Sequence, residues 1–289
     1  MVVTVAAPGT CGELVQGTIE GRPFLITCPV NVYSHVTVSR GGQTGAAGEK
    51  TRLAVARTLA YLGETGAELI LRVQSALPVG KGMASSSADI AAACQAAAIC
   101  CGRRLTADEI ADIALAIEPT DGIVYPGIVM FDHLGGLIRR PLGPPPPLLI
   151  AVFDAGGEVN TQNFNQRRDL AALNAAKEAQ VRRAAELVAD GLRQGDCRLI
   201  GQGATLSAIA NQAILPKPCL EPILEMAARF GAVGVNAAHS GTVLGLLFAP
   251  DDRERLAECV ATVMSRCPGV AYWRTVELIG GGLTIVEES

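Results

Sequence analysis

Residues 78–89 read PVGKGMASSSAD, and these residue types at this spacing fit the binding of an anion. Gly80 and Gly82 let a backbone come close to a ligand and take dihedrals closed to other residues. Ser85, Ser86 and Ser87 are poor inside a helix and good at its start. The first N–H groups of a helix have no partner within it, and they carry the positive end of its dipole. Lys81 adds a mobile charge, and serine hydroxyls can reach a phosphate-bound Mg2+. A loop leading into a well-capped core helix has the same composition, so both readings stand on local chemistry alone. Two nucleotide motifs are excluded. A P-loop needs glycine at 75 and Ser or Thr at 82, where Ser75 and Gly82 stand. The dinucleotide fingerprint G-x-G-x-x-G needs glycine at 85, which is Ser85.

Two carboxylates, Glu118 and Asp121, lie in AIEPTDGIVYPG. Pro119 ends the preceding helix, so both sit at or beyond a helix C-terminus, where the dipole disfavours negative charge. A bound cation or a proton-transfer role offsets that cost. A plain turn before Gly122 is the alternative for Asp121. Asp132 is a weaker carboxylate candidate.

The elements that hold these residues follow from patterning. Strands are expected at Val2 to Val5, 24–28, 32–38, Glu68 to Gln74 and within a hairpin over 127–140 that turns at His133–Gly136. Residues 41–49 read as a loop. Helices are expected from Lys50 to Leu62, from Ser85 to Cys101, and from the Thr106–Glu109 capping box to about Glu118. Pro144–Pro147 reads as a stiff connector between residues 1–147 and 148–289. Beyond it come a strand (Leu148–Phe153), helices (about 161–213 and 218–230), strands (Ala232–Asn236 and Thr242–Phe248), a helix (251–265) and a strand (Tyr272–Ile279). That order is the split-βαβ, ferredoxin-like one.

Composition bounds the function classes. The chain has 289 residues, is 49% hydrophobic and 18% charged, and carries a formal net charge of −4. Without a basic stripe, nucleic acid is not an expected partner. Mean hydropathy is +0.31, yet no apolar run reaches the roughly 18 residues of a membrane span. The start, MVVTVAAPGT, lacks a basic region and a long apolar one, so a cytoplasmic location is expected. The nine cysteines form no C-x-x-C pair, and with three histidines there is no zinc spacing. An odd count argues against a disulfide framework. Nearly all read as small buried apolar residues, with Cys11 left open.

Three segments together carry a family resemblance. Pro78-x-x-x-Gly82-Met83-Ala84-Ser85-Ser86 resembles the P-x-x-x-G-L-x-S-S loop of the GHMP small-molecule kinases. APGTCGELVQG (Ala7–Gly17) resembles that family's first motif, and NAAHSGTVLGLLF (Asn236–Phe248) its third. With EPTD, the combination is most similar to the branch that phosphorylates L-threonine for cobalamin synthesis. The resemblance implies an α+β, two-domain GHMP kinase fold. Its N-terminal domain would be ribosomal protein S5 domain 2-like and its C-terminal domain ferredoxin-like. ATP and Mg2+ are the implied cofactors, with phosphates on Pro78, Gly80, Lys81, Gly82, Met83, Ala84, Ser85, Ser86 and Ser87.

The resemblance also implies roles. Ser86 and Glu118, the latter in an A-x-x-x-E pattern from Ala114, would hold Mg2+. Asp121 would accept the hydroxyl proton, although its interval from Glu118 is much shorter than in relatives that use such an aspartate. Lys81 would assist at the phosphates. Glu13 and Cys11 fall in the acceptor-side motif, where Glu13 can pair with an ammonium group or simply hold the loop. His239, Ser240 and Gly241 form a turn on the phosphate side, where His239 can also simply satisfy backbone groups; Asn160-Thr161 reads as a helix cap, with substrate contact by the same turn as its weaker alternative. The expected activity is phosphorylation of a small alcohol: L-threonine first, with homoserine, a sugar or an isoprenoid precursor behind it. A nucleotide-binding regulator without turnover is the alternative of another class.

Overall fold

The computed structural model describes residues 1–41, 46–64, 68–159 and 167–289. Its first element is a long hairpin, β1 (Val2–Ile19) and β2 (Arg22–Arg40), paired antiparallel over nearly its whole length. Its two turn residues, Glu20 and Gly21, have φ of 55° and 70°. Positive φ at both positions is the type I′ pattern that matches strand twist. The short strand expected at Val2 to Val5 and the two expected at 24–28 and 32–38 are therefore parts of one pair. Pro8-Gly9 and Pro29 do not end the strands. The ladder absorbs them as irregularities between Pro8 and Gly9, Thr10 and Glu13, and Glu13 and Val15. Bulges of this kind re-aim side chains next to sites.

The second half of β2 pairs with β3 (Leu69–Ser75), and its start pairs with β4 (Ile128–Phe131). The expected hairpin is present as β4 and β5 (Arg139–Gly143). Against this sheet lie α1 (Glu49–Leu62), α2 (Ser85–Cys100) and α3 (Ala107–Leu115). Gly63 closes α1 with φ of 72°. The α3 capping box is complete, with the Thr106 amide donating to Glu109 Oε2 at 2.7 Å and the Glu109 amide to Thr106 Oγ1 at 3.3 Å. α2 is apolar on all sides and almost wholly buried, which is why it is built of alanine: small side chains let neighbours close in from every direction.

The second half contains β6 (Leu149–Asp154), α4 (Leu170–Gln194), α5 (Cys197–Ala210), α6 (Leu220–Phe230), β7 (Gly234–Ala237), β8 (Val243–Phe248), α7 (Arg253–Arg266) and β9 (Ala271–Glu277). Its strands run β7-β8-β6-β9, all antiparallel, the order expected of a split-βαβ unit. The helical span expected over 161–213 is broken at Gly195, whose φ of 69° ends α4. Asp196 then caps α5 through the amides of Arg198 and Leu199. Residues 42–45 of the expected loop, and Asn160-Thr161, lie outside the described residues.

One strand was not expected. β10 (Thr284–Glu288) pairs with the start of β1; it is short, acidic and mostly exposed, so it shows no core alternation. The sheet runs β5-β4-β2-β1-β7-β8-β6-β9, and β1 meets β7 at the single pair Glu13–Ala237. One apolar core underlies the β1–β2 sheet and its helices, and another lies between β6–β8 and α6–α7. All nine cysteines are free thiols: six are buried, and Cys101, Cys197 and Cys219 are half-buried. No helix among the described residues is long and apolar enough to cross a membrane.

Candidate active site

The loop before α2 is folded by its neighbours. Gly80, Gly82 and Ala84 take φ of 74°, 82° and 56°, alternating with residues in ordinary conformations. The amides of Thr10 and Gly12, from the first motif, donate to Met83 O and Gly82 O at 3.1 and 3.0 Å. The amides of Thr242 and Val243, from the third, donate to Lys81 O at 2.9 and 3.1 Å. The Val159 amide donates to Gly80 O at 3.3 Å. Four successive carbonyls are thus satisfied from outside the loop. Among the described residues, no amide from Gly82 to Ser87 donates to a backbone carbonyl. The N-cap of α2 is Ala84, which has no side chain able to cap and no cap hydrogen bond. A buried helix with an unfilled N-terminus is the arrangement that binds anions. Free amides at the start of a buried helix fit the anion reading of the loop.

The glycines explain how three distant segments reach one another. A Cβ on Gly82 would stand 2.5 Å from Ala238 Cβ, and one on Gly241 would stand 2.4 Å from both Gly82 Cα and Lys81 O. Only paired glycines allow that approach.

The cradle opens on a cavity of about 530 Å³. Gly80, Gly82, Met83, Ala84, Ser85, Ser86 and Ser87 line it on one side, and Glu118, Asp121 and Glu13 face it from others. Asp121 lies against α2: the Ser87 hydroxyl donates to Asp121 Oδ2 at 3.2 Å, and the Asp121 amide donates to Ser87 Oγ at 3.3 Å. Burial, with the nearby Glu13 charge, pushes the Asp121 carboxyl up to about 7. α3 ends at Leu115, earlier than expected, and Glu118 follows in a turn whose amide still donates to Ala114 O at 3.0 Å. The Glu118 carboxylate is buried and ion-paired with Lys50. Both partners sit at the wrong helix end, Glu118 past the C-terminus of α3 and Lys50 in the first turn of α1. The dipole disfavours each alone, so each offsets the cost of the other.

Glu13 is the centre of a buried polar chamber. Its Oε2 accepts from the His239 amide at 2.9 Å and lies 3.1 Å from His239 Nδ1. Nδ1 also lies 2.9 Å from Ala237 O. Both neighbours are acceptors, so Nδ1 carries the hydrogen. Nε2 then accepts from the Ser207 hydroxyl at 2.9 Å, and Ser207 Oγ accepts the Gln16 amide at 3.2 Å. Burial, with Lys177 and Lys217 nearby, holds His239 well below its ordinary range, so the ring is neutral. Burial raises Glu13 to about 7, against the opposing pull of the His239 amide and the two lysines. Burial also lowers Lys177 and Lys217 to about 8, with Glu13 opposing that shift. Lys217 Nζ donates to Ala238 O at 2.6 Å, and Asn236 Nδ2 donates to Cys11 O. The Asn236 bond ties the third motif to the first, and the Lys217 bond ties the third motif to the turn before α6.

Some expected site residues stand elsewhere. Lys81 does not line the cavity; its Nζ is held by Asp154 Oδ2 at 2.8 Å and Gly157 O at 2.7 Å. Lys50 is the lysine on the cavity wall. Its placement at a helix start was the sequence signal for it. Cys11 is fully buried, and burial pushes its thiol up to about 12. Its side chain packs toward Gly245 rather than the cavity. Pro78 precedes the cavity wall, which begins at Val79. Ser240 lines the cavity, Gly241 packs on Gly82, and His239 lies beneath. Asp132 accepts the amides of Leu134, Gly135 and Leu137 and shapes the β4–β5 turn. Gln16 lies in the first motif without a role that its spacing assigns, and His133, Lys177, Asn211 and Lys217 belong to no local motif.

Comparison with known proteins agrees with this geometry. Residues 50–128 match the GHMP kinases N-terminal domain and residues 188–266 the GHMP kinases C-terminal domain. An L-threonine kinase of Salmonella typhimurium is 37% identical over 258 residues, covering 88% of this chain and 84% of that one. Another, from Citrobacter freundii, is 36% identical over 251 residues, 86% of each chain. The fold also matches a homoserine kinase from Cytophaga hutchinsonii, with TM-score 0.74, 16% identity and coverage of 99% and 97%. A mevalonate kinase from Methanococcus jannaschii matches with TM-score 0.67, 14% identity and coverage of 95% and 97%. With both family domains matched and a relative 37% identical over most of its length, this chain belongs to the GHMP kinase family and is a small-molecule kinase.

Proposed function

We propose that the protein transfers the terminal phosphoryl group of ATP to the side-chain hydroxyl of L-threonine, giving O-phospho-L-threonine. The observation that carries this reading is the unfilled start of α2, facing a cavity whose other walls hold Asp121 and Glu118. Similarity to two L-threonine kinases supports this acceptor, and the motif resemblance suggests cobalamin synthesis as the pathway that uses the product. The boundary between the N-terminal and C-terminal domains is proposed at residues 147 and 148.

The residues present fit the implied groups. The free amides from Gly82 to Ser87 are a cradle for phosphate oxygens. A hydroxyl and a carboxylate, Ser86 and Glu118, suit Mg2+, which commonly takes one or two protein oxygens and fills its shell with phosphate and water. When bound, the ion neutralises charge on the phosphates undergoing transfer. Such transfer asks the protein for positioning and charge rather than covalent chemistry. Asp121 accepts the acceptor's hydroxyl proton at its carboxylate, and a value near 7 suits a base at neutral pH. Ser87 fixes that carboxylate against α2. Lys50 neutralises Glu118 in the free protein and brings a positive charge to the wall where phosphate charge arrives. Lys81 holds the cradle to Asp154 at the end of β6.

The test is ADP release by the purified protein with Mg·ATP against L-threonine, L-serine, L-homoserine, mevalonate and galactose, with the product identified by mass. Turnover selective for L-threonine is expected. Selective turnover of another acceptor would overturn the substrate assignment, and no turnover with any of them would count against the catalytic reading.

A further inference from the structure

A second cavity, of about 290 Å³, adjoins the first and shares Gln16 and His133 with it. That volume lies just below the range of drug-sized ligand pockets. Its walls include Lys177, Asn211, Arg167 and His239. Lys177 and Asn211 are 5% and 3% exposed. Lys177 Nζ donates to Asn211 Oδ1 at 2.9 Å and Gln16 O at 3.4 Å. Among the described residues, three buried polar atoms here have no partner: Asn211 Nδ2, Gln16 Oε1 and His133 Nδ1. Buried polar atoms are rarely left so, and each one costs stability unless something fills it. Arg167 is engaged by Asp169 and by Ile214 O.

The chemistry of these groups is polar at both ends. The donors here are the Lys177 ammonium and the Asn211 amide N–H. The acceptors are Gln16 Oε1 and, on the wall of the first cavity, the Glu13 carboxylate. Donors with a positive charge fit a carboxylate, and acceptors with a negative charge fit an ammonium group. A zwitterionic amino acid laid across the junction matches both, and its hydroxyl then extends into the cavity that holds Asp121. A sugar or other neutral polyol would offer the Lys177 ammonium no carboxylate, leaving it only the Glu13 charge of the neighbouring chamber.

We infer that Lys177 and Asn211 form the seat for the α-carboxylate of the acceptor and so select a hydroxy amino acid over an alcohol lacking that group. This rests on the kinase reading above and assigns a specificity determinant within it. Lys177 acts at the ground state as well as in transfer, so its loss appears mainly in KM.

Two probes test it, one with turnover and one without. The turnover probe compares L-threonine with 1-aminopropan-2-ol, the same molecule without its carboxylate. The wild type should prefer L-threonine by roughly 100-fold in kcat/KM, as expected for pairing a buried charge. Lys177→Met and Asn211→Asp should each bring that preference to within about threefold. The aspartate keeps the shape and places an anion where the substrate's would sit, so it reads the site if the lysine variant fails to fold. The binding probe is calorimetric titration with L-valine, which has a methyl in place of the threonine hydroxyl. Saturable binding to the wild type, lost in both variants, supports the seat even if no hydroxy amino acid is turned over, in which case only the acceptor assignment falls. An unchanged preference in Asn211→Asp, or no L-valine binding by the wild type, overturns the inference while leaving any L-threonine turnover intact.

Discussion

The phosphate cradle and the Glu13 chamber lie side by side, yet they are built on opposite plans. The cradle is made of backbone. Its carbonyls are taken by amides from both neighbouring motifs, its N–H groups are left free, and glycines let the segments meet. The chamber is made of side chains from β1, α4, α5, the 217 region and the turn after β7, each brought in from a different part of the chain. A backbone site needs particular residues at particular spacing, and so it leaves a local motif. A side-chain chamber needs only that the fold deliver one suitable group from each element, and so it leaves none. On the proposed reading the cradle takes the phosphate that ATP brings, and the chamber is the place where one acceptor would be distinguished from another.

That contrast can be broken first at the cradle. Gly82→Ala puts a Cβ 2.5 Å from Ala238 Cβ at a φ of 82°. Strain and overpacking together should cost about 2–4 kcal/mol of stability and weaken Mg·ATP binding at least tenfold. Calorimetric binding and thermal unfolding check both. An alanine tolerated in both measurements would mean that the close glycine contact does not shape the loop.

Asp121, which lies against the cradle helix and feels the chamber's Glu13, predicts a pH-dependent effect of moderate size. Asp121 is raised from 3.8 to about 7 by burial and by Glu13. A group with a raised folded value contributes least strain below its unfolded value. The cost of forcing it charged grows from about pH 4 to pH 7 and is constant above. Asp121→Asn removes that cost, so it should stabilise the protein by about 2 kcal/mol more at pH 8 than at pH 5. Paired melting curves at the two pH values read this directly. Equal shifts at both would show that the carboxyl is not perturbed.

The smallest effect marks a region that belongs to neither site. Thr106→Ala breaks the capping box of α3 and should cost about 1 kcal/mol, with turnover unchanged at temperatures where the protein stays folded. A large fall in turnover would tie the α3 start to the Glu118 position it precedes.

The same contrast explains what was legible in the sequence. The element order of the second half, the α3 capping box and the start of α2 all rest on local patterns, and the structure has them. The long β1–β2 hairpin was hidden because Pro8-Gly9 and Pro29 normally punctuate strands, and only pairing partners reveal that they sit in bulges. β10 was hidden because an acidic edge strand has no buried face to alternate. In the site, Gly82, Ser86, Glu118, Asp121 and Glu13 carry motif signals and do meet at one cavity. Lys81 has the same motif signal but turns to Asp154, because β6 brings a carboxylate within reach. Lys177 and Lys217 belong to no motif in the sequence. Nothing near them in sequence shows that folding carries both next to a buried glutamate.

The central claim is that Asp121, raised near neutrality beside an anion cradle, takes the proton of an L-threonine hydroxyl during transfer from ATP. The most direct measurement is the pH profile of kcat for L-threonine phosphorylation by the wild type and by Asp121→Asn. Wild-type turnover should fall as pH drops below about 7, since the base must be ionised. The variant should be slower by about 100-fold or more and lose that pH dependence while binding Mg·ATP as before. A variant with undiminished turnover and an unchanged profile would contradict it.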